Sequence, residues 1–120
     1  MRLGVADEGV LTDEAIEGVV APFATEDSRL ALAKAGIELE TDGFAEIARR
    51  LPSLEAPLRV VYGEQDRILP DIAETVARIQ RDVPHAEVTA LPHFGHFLQE
   101  EAGPEVGELL APFFARTPVT

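Results

Sequence analysis

The stretch that most constrains the fold of this chain runs from Leu58 to Phe97. Two short apolar segments, residues 58–62 and 86–91, have the composition of buried strands. The segment between them has apolar residues at spacings of four, three and four, which predicts an amphipathic helix: Ile72, Val76, Ile79 and Val83. A strand–helix–strand unit in one sheet is a right-handed parallel crossover. The sequence therefore predicts that both strands end at the same edge of a sheet.

One residue that is able to take part in acid–base chemistry follows each predicted strand. Asp66 lies in the turn after the first strand, and His96 lies in the loop after the second, directly behind Gly95, where we expect an unusual backbone turn. Neighbouring strands lie about 4.8 Å apart, so the two side chains can meet. A carboxylate that orients an imidazole produces a general base. The spacing alone leaves open a simple turn aspartate beside an unrelated surface histidine.

Composition excludes several classes of function. The formal net charge of −12, from 22 acidic and 10 basic side chains, excludes nucleic acid and anionic membrane as expected partners. The sequence contains no cysteine, which excludes disulfides and thiolate metal sites. His93 and His96 are three residues apart but have no third ligand nearby, so we predict no metal site. Residues 1–7 contain no long apolar run, so we expect no signal peptide or membrane span and a cytoplasmic location.

The amino-terminal half predicts three short helices after a loose lead-in over residues 1–11. The expected boundaries are Thr12 to Pro22, Thr25 or Ser28 to Gly36, and Asp42 to Leu51. This half contains no chemical motif.

Prolines and acidic residues predict the helix boundaries in the second half. Pro70 is expected in the first turn of the middle helix, and Pro104 is expected to open the last helix. Pro112 is expected to kink or end that last helix. Glu100 and Glu101 are expected to cap or precede it.

Two parallel strands are too few for an independent sheet. Parallel sheets are normally covered on both faces and contain more strands, and open edges favour pairing with another chain. We therefore expect the chain to be the end of a larger α/β domain and to associate through its open sheet edge.

Two segments resemble a known family. Residues 63–70 (GEQDRILP) and 95–101 (GHFLQEE) resemble the acid and histidine segments of the α/β-hydrolase family. The resemblance is closest to the cap-bearing branch that contains haloalkane dehalogenases, epoxide hydrolases and related C–C and ester hydrolases. It covers residues 54–115, and more loosely residues 19–23, which look like the end of the helical cap. The resemblance implies that Asp66 is the catalytic acid and His96 the catalytic base.

The resemblance also implies a fold and an activity. Residues 1–52 would be a helical lead-in from the cap and its returning helix, and residues 53–120 would be the carboxy-terminal βαβα segment of the hydrolase core, with its last two parallel strands. The parent enzyme would hydrolyse a small organic substrate, such as a haloalkane, epoxide or ester, through a covalent intermediate. It would need no cofactor and no metal.

One part of the family pattern is missing. The nucleophile of this family precedes the acid in the chain and sits on a glycine-framed turn between strand and helix. The only serines, Ser28 and Ser53, do not occur in such a frame. The chain alone is therefore expected to be inactive. The alternatives are a non-catalytic remnant or strand-pairing partner, and a small βαβ binding module of another family.

Overall fold

The computed structural model describes residues 2–39 and 42–116, which form six α-helices and two β-strands. The helices are α1 (Asp13–Val20), α2 (Glu26–Ile37), α3 (Asp42–Arg50), α4 (Ile72–Asp82), α5 (Leu98–Glu101) and α6 (Gly103–Arg116). The strands are β1 (Arg59–Gly63) and β2 (Glu87–Leu91). None of the helices in these ranges is long and apolar enough to cross a membrane.

The predicted βαβ crossover is present. Strands β1 and β2 pair in parallel, from Arg59 opposite Glu87 to Gly63 opposite Leu91, and α4 connects them. Each strand begins one residue later than the predicted segment. Because the strands run in the same direction, the loops that carry Asp66 and His96 leave from one edge of the sheet.

Hydroxyl side chains determine where the first two helices begin. The Thr12 hydroxyl accepts a hydrogen bond from the Ala15 amide at 3.1 Å, and the Thr25 hydroxyl accepts one from the Ser28 amide at 3.2 Å. Thr25, not Ser28, is therefore the cap of α2. Helix α2 continues past Gly36 to Ile37, so the predicted stop at Gly36 is wrong by one residue.

The proline predictions need two corrections. Pro70 lies before α4, which begins at Ile72, rather than in its first turn. Helix α6 begins at Gly103 and runs through Pro112 to Arg116, so Pro112 does not end it. Proline removes one backbone hydrogen bond and crowds the preceding turn. Tertiary contacts hold the last turn in place, because Phe113 is buried and two 2.9 Å hydrogen bonds join Arg116 to Glu87 of β2.

The amino-terminal lead-in is ordered against the second half of the chain, so the expectation of a loose segment is wrong. Residues Arg2–Gly4 form a 3-10 turn, and Val5 is completely buried. The Phe97 amide donates a hydrogen bond to the Gly4 carbonyl oxygen at 2.8 Å. Such a contact between distant parts of the sequence leaves no trace in local periodicity.

The chain is less compact than an independent domain. Its Cα radius of gyration is 16.9 Å, whereas a compact domain of this length has about 13.6 Å. Its accessible surface is 8822 Å², compared with roughly 6,300 Å² for a compact monomer of this mass. Much of the exposed apolar surface lies on and between α1, α2 and α3: Ile16, Val19, Val20, Phe23, Leu30, Leu32, Ile37, Leu39, Phe44 and Ile47. The amino-terminal half therefore has few core contacts of its own.

We expect the isolated 120-residue chain to be partly unfolded or self-associated. Helices α1 to α3 should exchange their amide hydrogens rapidly, because little buried apolar surface opposes their opening. Strands β1 and β2 and helix α4 should exchange more slowly. Hydrogen exchange by mass spectrometry combined with analytical ultracentrifugation tests this prediction. A monomer with strong protection throughout and one sharp thermal transition would contradict it.

Candidate active site

The turn after β1 holds the carboxylate of Asp66 in place. Its Oδ1 atom accepts hydrogen bonds from the backbone amides of Ile68 and Leu69, both at 2.8 Å. An aspartate that bonds amides two and three residues ahead closes a local turn, which explains why this residue type suits the position. The side chain is only 5% exposed. One carboxylate oxygen is thus used to hold the turn, and the other is free to act on a neighbour.

That neighbour is His96. The Asp66 Oδ2 atom lies 2.8 Å from Nδ1 of His96. Since an ionised carboxylate can only accept, Nδ1 carries the proton in this bond. The imidazole is half-buried, and Nε2 makes no hydrogen bond within the described part of the chain. The ring of Phe97 meets the imidazole edge-on, with centroids 5.3 Å apart. The structure therefore joins the two predicted residues, with one imidazole nitrogen engaged and the other available.

The surroundings of Asp66 favour its ionised form. Burial raises the pKa of the Asp66 carboxyl group, but hydrogen bonds from the Leu69 amide, the His96 ring and the Ile68 amide outweigh burial, and the pKa lies below its usual value. A carboxylate in this state accepts a hydrogen bond from the Nδ1–H group, and it stabilises the imidazolium that forms when Nε2 takes up a second proton.

We expect the Asp66 carboxyl carbon to titrate in the folded chain with a midpoint below that of aspartate in the urea-unfolded chain, about 3.9. Because the folded-state pKa is the lower one, ionised Asp66 contributes stability above about pH 4. That contribution is lost as the pH falls through the folded-state pKa. Carbon-13 NMR of the side-chain carboxyl measures both midpoints. A folded midpoint at or above the unfolded one would contradict the geometry.

Backbone hydrogen bonds join the acid loop, residues 63–69, to the histidine loop, residues 92–97. The Glu64 amide donates to the Leu91 carbonyl and the Gln65 amide to the Phe94 carbonyl, both at 3.0 Å. The Gln65 side-chain amide adds a 3.0 Å bond to the Pro92 carbonyl. These bonds position the acid loop and the histidine loop against each other.

Gly63 allows this close approach. A Cβ atom at this position would lie 2.2 Å from the carbonyl oxygens of both Phe94 and Gly95. Both obstacles are backbone atoms, so they cannot move aside as a flexible side chain would. The end of β1 therefore requires glycine for steric reasons, without an unusual backbone angle.

We expect Gly63→Ala to push the acid and histidine loops apart and to destabilise the fold around the site by about 2 kcal/mol or more. Hydrogen exchange of the Glu64 and Gln65 amides should accelerate accordingly. Gly107→Ala in α6 is the matched control, because a Cβ there meets no atom within 4 Å. Equal effects of the two substitutions would refute the role assigned to Gly63.

A cleft of about 150 Å³ borders the pair. Apolar side chains form much of its wall, and its lining comprises Val61, Tyr62, Gly63, Asp66, Leu69, Ile72, Gly95, His96 and Leu98. Larger clefts, of about 400 and 200 Å³, lie along α3 but contain no base with an orienting acid. Chemistry therefore points to the smaller cleft.

The other two histidines of the chain do not join the site. His93 is exposed, and Nε2 of His85 lies 3.1 Å from the Ala56 carbonyl oxygen. Within residues 2–39 and 42–116, no group of three or more His, Cys, Asp or Glu side chains is arranged to hold a metal ion.

Two features near the site differ from the sequence-based interpretation. Gly95 does not adopt a left-handed backbone conformation. It is instead covered closely, because a Cβ there would lie 2.7 Å from the Gly4 carbonyl oxygen. The carboxylate of Glu101, expected only near a helix start, binds the Gly95 amide at 2.7 Å. No sequence signal distinguishes Glu101 from Glu100, since tertiary contacts decide which of the two turns inward.

Comparison with known proteins supports a relationship with a hydrolase. No protein-family model matches the chain. The chain is 29% identical over 109 residues to an uncharacterized hydrolase, YugF, of Bacillus subtilis strain 168. The match covers 91% of this chain but 38% of the Bacillus protein, so the chain spans well under half of that relative's length. The α/β architecture with two parallel strands is consistent with part of a hydrolase fold.

Proposed function

We propose that this chain supplies the acid and the base of a hydrolase active site. The observation that carries the proposal is the 2.8 Å bond between Asp66 and Nδ1 of His96, which leaves Nε2 free beside a cleft. The similarity to the Bacillus hydrolase supports the same reaction class. In this role Asp66 orients the imidazole, and His96 transfers protons.

The proposed reaction has two steps. A nucleophilic side chain attacks the substrate and forms a covalent ester, while the carbon–halogen bond, the epoxide ring bond or the bond to the alcohol of an ester breaks. A serine nucleophile would pass its proton to Nε2 of His96, which gives it to the departing alkoxide. Nε2 of His96 then takes a proton from water, and the resulting hydroxide adds to the ester carbonyl. The ester bond breaks, the imidazolium gives its proton to the departing ester oxygen, and the nucleophile is restored. With a serine nucleophile the water oxygen leaves in the carboxylic acid product. With an aspartate nucleophile it stays in the aspartate carboxylate, and the alcohol product carries away the former carboxylate oxygen. Ionised Asp66 stabilises the imidazolium that exists between these events.

The nucleophile is proposed to come from outside these 120 residues. Ser28 and Ser53 are the only serines in the chain. Their hydroxyl groups donate to the Thr25 and Arg50 carbonyl oxygens, at 2.9 and 2.7 Å, and neither serine lines the cleft beside His96. A site with two members of a triad has little covalent activity, because the three residues act as a unit.

The same proposal accounts for the exposed surfaces. Residues 53–120 would complete a larger parallel sheet, which would cover the open edges of the β1–β2 pair. Residues 1–52 would be the end of a cap, with its apolar side chains packed against the rest of that cap. The exposed apolar residues of α1 to α3 support this division. The substrate is proposed to be a small haloalkane, epoxide or ester.

A chimera tests the proposal directly. The matched stretch of the Bacillus hydrolase would be replaced by this chain, and both proteins would be assayed against one panel of aryl esters, epoxides and haloalkanes. We expect the chimera to hydrolyse the substrates that the intact Bacillus protein hydrolyses. A folded chimera that is inactive while the Bacillus protein turns over the same panel would favour a non-catalytic remnant.

A further inference from the structure

The carboxylate of Glu101 gathers backbone amides from two distant segments. Its Oε1 atom accepts from the Ala6 amide at 2.6 Å and the Asp7 amide at 3.0 Å. Its Oε2 atom accepts from the Gly95 amide at 2.7 Å. Hydrogen bonds to an ionised acceptor are shorter and stronger than neutral ones. Glu101 therefore accepts three hydrogen bonds and connects residues 6 and 7 to Gly95, the residue that precedes His96.

The segment that ends with these two residues, residues 2–7, is named here the amino-terminal strap. The strap also contacts both residues that follow the acid and the base. The Phe97 amide donates to the Gly4 carbonyl at 2.8 Å, and the Arg67 guanidinium donates to the carbonyl oxygens of Arg2 and Val5. The strap thus contacts both the acid loop and the histidine loop. The Glu101 carboxylate joins it to the histidine loop by binding amides of both segments.

Glycines make the contact between strap and loop possible. A Cβ at Gly95 would lie 2.7 Å from the Gly4 carbonyl oxygen and 3.0 Å from Oε2 of Glu101. A Cβ at Gly4 would lie 2.3 Å from the Phe97 ring. At Gly95 the obstacle is the backbone of residues 2–7, so a side chain there would separate the two segments, whereas at Gly4 the obstacle is the ring of Phe97, which would have to move.

We propose that Glu101 is a positioning residue. It holds the histidine loop so that Nδ1 of His96 stays protonated and donates its hydrogen bond to Asp66. The Gly95 amide, before His96, donates to the Glu101 carboxylate, which also binds the Ala6 and Asp7 amides of the strap. The Phe97 amide, after His96, donates directly to the Gly4 carbonyl of the strap. With Glu101 removed, the amino-terminal side of the histidine loop loses its anchor, and a 2.8 Å bond between two side chains is sensitive to such a shift. The catalytic meaning of this role rests on the proposed hydrolase function, whereas the contact itself does not.

The test is the tautomer of the His96 ring in the full 120-residue chain, read from nitrogen-15 NMR at a pH at which the ring nitrogen shifts no longer change with pH. Glu101→Gln places an N–H group among amide donors. Glu101→Asp keeps the charge and is the milder change for the fold, but is one methylene too short to reach both segments. Glu100→Gln is the matched control, because the Glu100 side chain makes no hydrogen bond or ion pair among the described residues.

We expect the parent chain and Glu100→Gln to keep the proton on Nδ1. Both Glu101 variants should shift the ratio toward the Nε2-protonated form, by at least about tenfold for Glu101→Gln, as loss of a charge-assisted bond predicts. Faster exchange of the Ala6 and Gly95 amides with an unchanged tautomer ratio would reduce Glu101 to a structural role and overturn the inference. Absence of the Nδ1 proton from the parent chain would instead overturn the acid–base pair, and with it the proposed function.

Discussion

His96→Ala in the chimera with the Bacillus hydrolase is expected to lower turnover by a factor on the order of 10⁶, the loss seen when a triad histidine is removed. The physical reason is that His96 is the imidazole with a free Nε2 in the described lining of the cleft, whereas the Asp66 carboxylate is already bonded to the imidazole and to the turn amides. Turnover is measured against the substrate that the parent chimera hydrolyses fastest, with the fold checked by circular dichroism.

The fate of the covalent ester gives a second measurement. With an aspartate nucleophile, the His96→Ala chimera should accumulate the ester, visible as a mass increase of the intact protein. With a serine nucleophile no ester should form, because the imidazole is also needed to activate the hydroxyl. His93→Ala is the control, since His93 is exposed and does not line the cleft. Unchanged turnover in His96→Ala would remove His96 from its assigned role.

Asp66→Asn in the same chimera is expected to lower turnover by about 10⁴-fold, because an amide stabilises the wrong tautomer of the imidazole and cannot stabilise an imidazolium. The substitution is nearly isosteric, so the turn over residues 66–69 can keep its acceptor for the Ile68 and Leu69 amides. Most of the loss should therefore appear in kcat rather than in substrate binding.

Asp71→Asn controls for the loss of a negative charge near the cleft. Asp71 precedes α4, and its side chain does not cap that helix. Its replacement should change turnover by less than about twofold, as expected for an exposed charge that does not line the cleft. Similar losses in Asp66→Asn and Asp71→Asn would mean that overall charge, rather than the bond to His96, accounts for the effect.

Local sequence patterns were sufficient to predict the sheet and to place Asp66 and His96 at the same end of its strands, but spacing alone left open whether the two side chains meet. Apolar segments of strand length flank a four–three–four apolar stripe, and the parallel crossover rule then places both loops at one edge. The hydrogen bond between the two side chains is an observation of the structure. The catalytic roles of the two residues stay predictions, since the geometry shows which atoms they contact and the assays described above test what they do.

The unpredicted features that matter most for the site depend on long-range contacts. Nothing in the local pattern of residues 2–7 indicates that they cover the histidine loop. The continuation of α6 beyond Pro112 depends on the burial of Phe113 and on the ion pair between Arg116 and Glu87. The inward turn of Glu101 depends on amides up to 95 residues away. The spacing of apolar residues reflects contacts within one helix or strand. It carries no information about contacts between segments that are far apart in the sequence.

The bond between Ala6 and Glu101 has a consequence for the order in which the chain folds. It joins residues separated by 95 positions and so closes almost the whole chain into one ring. Contacts of such long range are made late, because the entropy of closing the loop must be overcome first. The hydrogen bonds that residues 2–7 make to Arg67 and Glu101 cannot form until those later residues have been synthesised. The contact that positions the histidine loop is therefore made only after residue 101 has joined the chain.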